Sequence, residues 1–150
     1  MKNFYLIFMI VCFMGGMLLS AVHGEEKEPL VIEMLNKLGK EKMVYSENIA
    51  RVGVGETITW TPKSKGHNVQ FVSVPEGVEK VKSKLSKEFS YTFEKEGAYL
   101  YVCTPHASMG MIGMVIVGES EENLEEVKEH KFRGKSKKKF KKILKQLEDV

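Results

Sequence analysis

Between Leu30 and Val117 the chain is cut into short β-favouring runs by glycine and proline, and this segmentation restricts the fold more than any other feature. The runs fall at residues 30–35, 47–54, 56–61, 67–73, 88–93, 97–103 and 111–117. Val, Ile, Thr, Tyr and Phe dominate them, the residue types that suit a pleated, half-buried surface. Gly53, Gly55, Gly66, Pro75, Gly77 and Gly97 stand at or between their edges, where turns need them. No repeat or low-complexity linker interrupts the series. About seven to eight short strands in roughly ninety residues point to an antiparallel β-sandwich with Greek-key connections.

Alternation assigns faces within the runs. His67, Val69 and Phe71 share one parity, so all three are expected on the core side of one strand. Tyr99, Tyr101 and Cys103 share a face in the same way, and Ile58 and Trp60 form the apolar side of the run at 56–61. After Gly118 the pattern changes to helical spacing. Glu119 to Lys131 is charged, with Leu124 and Val127 three apart. In Lys135 to Leu147, Phe140, Ile143, Leu144 and Leu147 complete an apolar stripe at i, i+3, i+4 and i+7. Lys137, Lys138, Lys139, Lys141, Lys142 and Lys145 fill the other faces of that stretch, which reads as a helix packed on the sandwich with a solvated basic face. A membrane or nucleic-acid role for one basic helix is the weaker alternative.

Residues 1–24 form a separate unit. Lys2 precedes an uncharged apolar run from Phe4 to Leu19, and Ser20, Ala21 and Gly24 are small residues suited to cleavage. This is the pattern of a secretory signal peptide, cut near residues 21–24. The apolar run is shorter than the roughly 20 residues a membrane span needs, which disfavours an uncleaved anchor. The expectation is a single domain over residues 25–150, with the sandwich at about 28–118 and a helical tail at about 119–148. Its net charge of about +2, against +3 for the whole chain, gives no reason to expect nucleic-acid binding, and without the leader nothing ties it to a membrane. Cys12 leaves with the leader, so an exported chain keeps only Cys103. A lone cysteine in an oxidising space is an inert thiol, an intermolecular bridge, a nucleophile or a metal ligand.

Its neighbours favour the metal. In Cys103-Thr104-Pro105-His106-Ala107-Ser108-Met109-Gly110-Met111 a histidine follows the cysteine by three residues and a methionine by eight, while His67 lies 36 residues upstream. Two histidines, a thiolate and a distant thioether are the donor set of a type 1 copper site. Soft sulfur suits Cu(I), imidazole suits both oxidation states, and a compromise geometry needs little rearrangement when an electron arrives. A structural zinc site takes four Cys or His ligands, and beyond His67, Cys103 and His106 only His130 or His23 is left to supply the fourth. A Cys–His hydrolase lacks any recognisable orienting group. Met109 and Met111 share parity, so alternation leaves the choice of axial methionine open.

The chain resembles the pseudoazurins, members of the cupredoxin family. The resemblance is carried by Met34-Leu35-Asn36-Lys37, Lys65-Gly66-His67-Asn68-Val69, Lys82-Ser83-Lys84, Cys103-Thr104-Pro105-His106, Met109-Gly110-Met111 and Asn123-Leu124-Glu125-Glu126-Val127-Lys128. It implies a cupredoxin Greek-key sandwich with two C-terminal helices. It also implies one copper ion, cycling between Cu(I) and Cu(II), on His67, Cys103, His106 and Met111. It further implies a periplasmic electron carrier rather than an enzyme, working in denitrification with a copper nitrite reductase. Partners of this kind, c-type cytochromes included, would dock near His106, whose ring edge would reach the surface through an apolar patch joined by Met43. Lys37, Lys65, Lys82 and Lys84 are the candidates for a basic ring that steers an acidic partner. Ala107, where the family often has tyrosine, and Val102, where lysine is frequent, depart from the pattern and bear on docking rather than on copper.

Asn68 and Thr104 each follow a ligand candidate, and their side chains are expected to tie the two ligand loops together. A copper enzyme would need a further histidine cluster, which the domain lacks once His67 and His106 are assigned. A periplasmic copper delivery or storage protein is the alternative, resting on Met43, Met109, Met111 and Met114. A carrier that must dissociate quickly is expected to be a monomer.

Overall fold

The computed structural model describes residues 28–120 and 122–149, so the expected leader and its cleavage site lie outside the described residues. Eight strands run in chain order: β1 (Leu30–Leu38), β2 (Glu41–Tyr45), β3 (Ile49–Val52), β4 (Thr57–Pro62), β5 (Gln70–Ser73), β6 (Phe89–Thr92), β7 (Gly97–Val102) and β8 (Ile112–Val117). They form two four-stranded sheets, ordered β2-β1-β4-β6 and β3-β8-β7-β5. The sandwich with two C-terminal helices is therefore the architecture found.

Its sheets are mixed rather than purely antiparallel. β1 pairs with β4 in parallel, and β3 with β8 in parallel. The chain leaves β1 through a hairpin into β2, crosses to the other sheet as β3, and returns as β4 running the same way as β1. Strand runs carry no record of their partners, so composition cannot predict this crossover.

β2 is absent from the sequence expectation, and its backbone explains why. Met43 has φ 52°, a left-handed conformation, in mid-strand. The kink places Val44 and Tyr45 consecutively in the buried interior and destroys the period of two. The expected strand 67–73 is also cut, since pairing begins only at Gln70. Residues 67–69 are all fully buried, His67, Asn68 and Val69 alike, because this segment is wrapped by other loops instead of lying in a pleat.

The inner faces meet in an aromatic core. Trp60, Phe71, Phe93, Tyr99 and Tyr101 are at most 1% exposed. Trp60 and Tyr101 stand edge to face at 5.3 Å, as do Phe93 and Tyr99 at 4.9 Å. Every residue of β7 and β8 is buried, so both faces of that sheet are covered. Tyr99, Tyr101 and Cys103 face the first core, as alternation predicts, and Ala98, Leu100 and Val102 face a second. The tail supplies the second core through α1 (Leu124–Lys128) and α2 (Lys135–Glu148). Leu124, Val127, Phe140 and Ile143 lie against the outer side of β7 and β8. Each such side chain contributes about 1.5–3 kcal/mol by leaving water.

The stretch expected to be helical over 119–131 is helical only from Leu124 to Lys128. Asn123 is diverted to the sheet, where its side chain accepts from Ala98 N and donates to Ala98 O, both at 2.8 Å. This clasp needs Gly97, whose φ is 125° and where a Cβ would lie 2.7 Å from Asn123 Oδ1.

Candidate metal centre

Cys103 is the first residue beyond β7. Pro105 starts a tight 3₁₀ turn over Thr104–Met109, which closes on Gly110 at φ 105°. Backbone hydrogen bonds staple this loop shut: His106 N to Cys103 O at 3.0 Å, Met111 N to His106 O at 3.3 Å and Cys103 N to Met111 O at 3.0 Å. Cys103, His106 and Met111 are thus fixed relative to one another by one short loop.

His67 arrives from the β4–β5 connection, which borrows its hydrogen bonds from residues 83–86. Ser86 N donates to His67 O at 2.8 Å, Gly66 N to Ser86 Oγ at 2.8 Å and Val69 N to Ser83 Oγ at 2.9 Å. The His67 ring is oriented from β1, where Asn36 Oδ1 lies 2.8 Å from Nε2. With Nε2–H donated to Asn36, Nδ1 is left as the electron-pair donor. That atom faces His106 Nδ1 at 3.1 Å and Cys103 Sγ at 3.7 Å, and Sγ lies 3.3 Å from His106 Nδ1.

The three donor atoms lie within 4.8 Å of one another. His67 and Cys103 are wholly buried and His106 is half-buried, so one of the two rings approaches solvent. Burial lowers the His67 pKa, with the adjacent His106 adding to the effect, so the neutral, electron-donating imidazole is favoured. Burial also pushes the Cys103 thiol up, opposed by the backbone N–H groups of Asn68 and His106. Two imidazole nitrogens and a free, buried sulfur converging at one point fit a copper ion of the thiolate–imidazole class. His130 is not in the cluster; it lies beside Phe132 at 4.6 Å, so no fourth zinc-type ligand joins among the described residues.

The two methionines left open by alternation have different environments. Met111 is fully buried and Met109 is 41% exposed. The expected link between the ligand loops is present. Thr104 N donates to Asn68 Oδ1 at 2.9 Å, and Asn68 Nδ2 donates to Thr104 Oγ1 at 3.1 Å and to Ser83 O at 3.2 Å. Asn68 is wholly buried, and its carbonyl receives the Tyr45 hydroxyl at 2.6 Å.

Three contributors were not assigned a role from sequence: Asn36, Ser83 and Ser136. Asn36 and Ser83 lie within conspicuous strings, yet nothing local marks them as partners of a histidine 31 residues away or of a loop 14 residues upstream. Ser136, in the first turn of α2, is buried and donates its hydroxyl to Ala107 O, joining the tail to the loop that carries His106. Lys37, Lys65, Lys82 and Lys84 are all exposed, and Met43 is half-buried.

Residues 32–118 match the profile of a family described as copper binding proteins of the plastocyanin/azurin family. A pseudoazurin of Paracoccus pantotrophus is 39% identical over 108 residues, spanning 71% of this chain and 74% of that protein. The crystal structure of pseudoazurin from Methylobacterium extorquens AM1 superposes with a TM-score of 0.77 at 32% identity, covering 80% of this chain and 99% of that one. That of Hyphomicrobium denitrificans pseudoazurin gives 0.71 at 39% identity, covering 75% and 93%. With its His–Cys–His cluster and two-helix tail, the chain belongs to the copper-binding plastocyanin/azurin family of blue-copper electron-transfer proteins, and within it to the pseudoazurins.

Proposed function

We propose that this chain is a periplasmic carrier of single electrons, whose copper would be held by His67, Cys103, His106 and Met111. The observation that carries the reading is the buried convergence of the three donors with His106 alone near the surface. Bound copper supplies a one-electron couple between Cu(II) and Cu(I). The chain's own residues would hold that couple in a fixed, largely buried setting. Asn36 orients His67, the Asn68–Thr104 pair locks the two ligand loops, and the burial of Met111 supports it over Met109 as the fourth donor. His106 is the electron port, in a rim that includes Pro105, Ala107 and Met109. The leader over 1–24 would deliver a single domain of residues 25–150 to the periplasm, where it acts as a monomer.

The proposed partners are a copper nitrite reductase as acceptor and c-type cytochromes, docking at the His106 rim. Exposed Lys37, Lys65, Lys82 and Lys84 would steer an acidic partner and raise its association rate more than its affinity. Reduction of such a partner should slow as ionic strength rises; a rate flat with salt removes the steering. A copper delivery role is disfavoured because, of its four supporting methionines, Met111 and Met114 are fully buried and Met43 is half-buried.

The test is a Cu(II) titration of residues 25–150 followed by visible absorption. A strong blue band that saturates at one copper per chain, bleaches with reductant and returns with oxidant is the expected result. A colourless product, or several weakly held coppers, refutes the carrier.

A further inference from the structure

We propose that the groove between the β1–β2 hairpin and α2 is a docking cleft for an acidic segment of the redox partner, separate from the lysines around His106. That the occupant belongs to a redox partner rests on the carrier reading above; that the cleft takes an acidic chain does not.

The groove encloses about 850 Å³. Lys40 and Lys42 form one wall, and Lys135, Lys138, Lys139 and Lys142 form the other. The four tail lysines stand at i, i+3, i+4 and i+7, so they share one face of α2. Glu41 is the one acid in the lining, and it is spent on Lys139 at 3.2 Å, a bridge that joins the hairpin to the helix. Among the described residues no ion pair neutralises the other five lysines.

Local stability does not account for this arrangement. Lys42 sits directly across the hairpin from Lys37, a repulsive cross-strand pair. Lys135 with Lys139 and Lys138 with Lys142 are like-charge i,i+4 pairs, again unfavourable. The first turn of α2 has no acidic residue and begins with Lys135, at the end of the helix where negative charge is favoured. An anion laid in the groove would relieve all of these at once.

Shape and position select the kind of anion. The lysine face extends for about 10 Å along the helix axis, and its two walls make a concavity, which suits a peptide segment better than a flat lipid surface. The lining also includes Val44, Met109 and Gly110, so an apolar side chain between the acids has a place to rest. Met109 and Gly110 end the loop that carries His106, and Ser136 of α2 bonds that loop at Ala107. A partner held by its acidic segment in the groove would therefore sit beside the electron port.

The experiment measures binding of a fluorescein-labelled deca-glutamate peptide to the copper-loaded full-length mature protein by anisotropy at low and high salt. Three variants accompany the wild type. Lys138→Glu/Lys142→Glu reverses the groove face. Lys137→Glu/Lys141→Glu makes the same charge change on exposed positions of the same helix outside the groove. Lys40→Gln/Lys42→Gln neutralises the opposite wall. The expected result is salt-sensitive binding that falls about tenfold or more in the first variant and severalfold in the third. The second should lose no more than about threefold, as expected when charge acts by position. Equal losses in the two reversal variants would reduce the effect to total charge and overturn the proposal, as would absence of wild-type binding. Phosphatidylglycerol vesicles whose binding depends on Lys138 and Lys142, while the peptide's does not, would overturn it in favour of a membrane surface. The blue band is read in the same samples. Its absence in the wild type would count against the carrier, while the peptide result would still decide the cleft.

Discussion

Replacing Asn68 by alanine tests the tie between the two ligand loops. The side chain is wholly buried and makes three hydrogen bonds: from Thr104 N, to Thr104 Oγ1 and to Ser83 O. The Tyr45 hydroxyl bonds the main-chain carbonyl and survives the change. At about 1 kcal/mol net for each lost bond, the variant should lose about 3 kcal/mol. For a chain of this size that corresponds to a fall in Tm of roughly 10 °C. Because the bonds join the loop of His67 to the loop of Cys103 and His106, copper release should also accelerate and the reduction potential should move. The assay is urea unfolding of the copper-free protein, with copper release to a chelator and potentiometry on the loaded form. Thr104→Val keeps the backbone donor and removes only the hydroxyl bonds to Asn68 and Gln70. A double-mutant cycle with Asn68→Ala should then return a coupling near 1 kcal/mol, the Nδ2–Oγ1 bond alone. A loss below about 1 kcal/mol, with copper release and potential unchanged, would refute the reasoning.

Gly113→Ala should destabilise by about 2 kcal/mol or more, because the new Cβ would strike the ring and hydroxyl of fully buried Tyr101; an unchanged urea midpoint would show that the ring moves freely. Ser136→Ala removes the bond to Ala107 O and should cost about 1–2 kcal/mol, with faster amide exchange confined to 104–110; exchange unchanged in that loop would disconnect the tail from the site. Stability should also fall at high pH. Burial, with Tyr91 nearby, raises the Tyr99 pKa from 10.0 to about 12, and burial likewise raises Tyr45 and Tyr101. Since the folded values lie above the unfolded one, this stability is complete below about pH 10 and is lost as pH rises through 12, roughly 2–3 kcal/mol from Tyr99 alone. Urea midpoints that stay level between about pH 10 and 12, with tyrosinate absorbance appearing near 10, would contradict it.

The amino-acid sequence by itself determined the sandwich, the covered sheet and the chemistry of the centre. Alternation in residues 56–61 and 97–103 put Ile58, Trp60, Tyr99, Tyr101 and Cys103 inward, because side chains of a strand alternate whatever its partner is. The three-residue step from Cys103 to His106 is local, so one tight turn suffices to bring the two together. The i, i+3, i+4, i+7 stripe of the tail was legible for the same reason, since helical spacing is a property of the segment alone. Only the tertiary structure decided the rest. The parallel pairings depend on a crossover between sheets, and β2 depends on the left-handed Met43, neither of which leaves a period in the chain. Alternation could not separate Met109 from Met111; closure of the loop on Gly110 left one exposed and the other buried. Asn36 reaches His67 across 31 residues, and Ser136 reaches Ala107 across 29. Contacts of that span are set by where folding brings separate segments together, so no local pattern in the chain announces them.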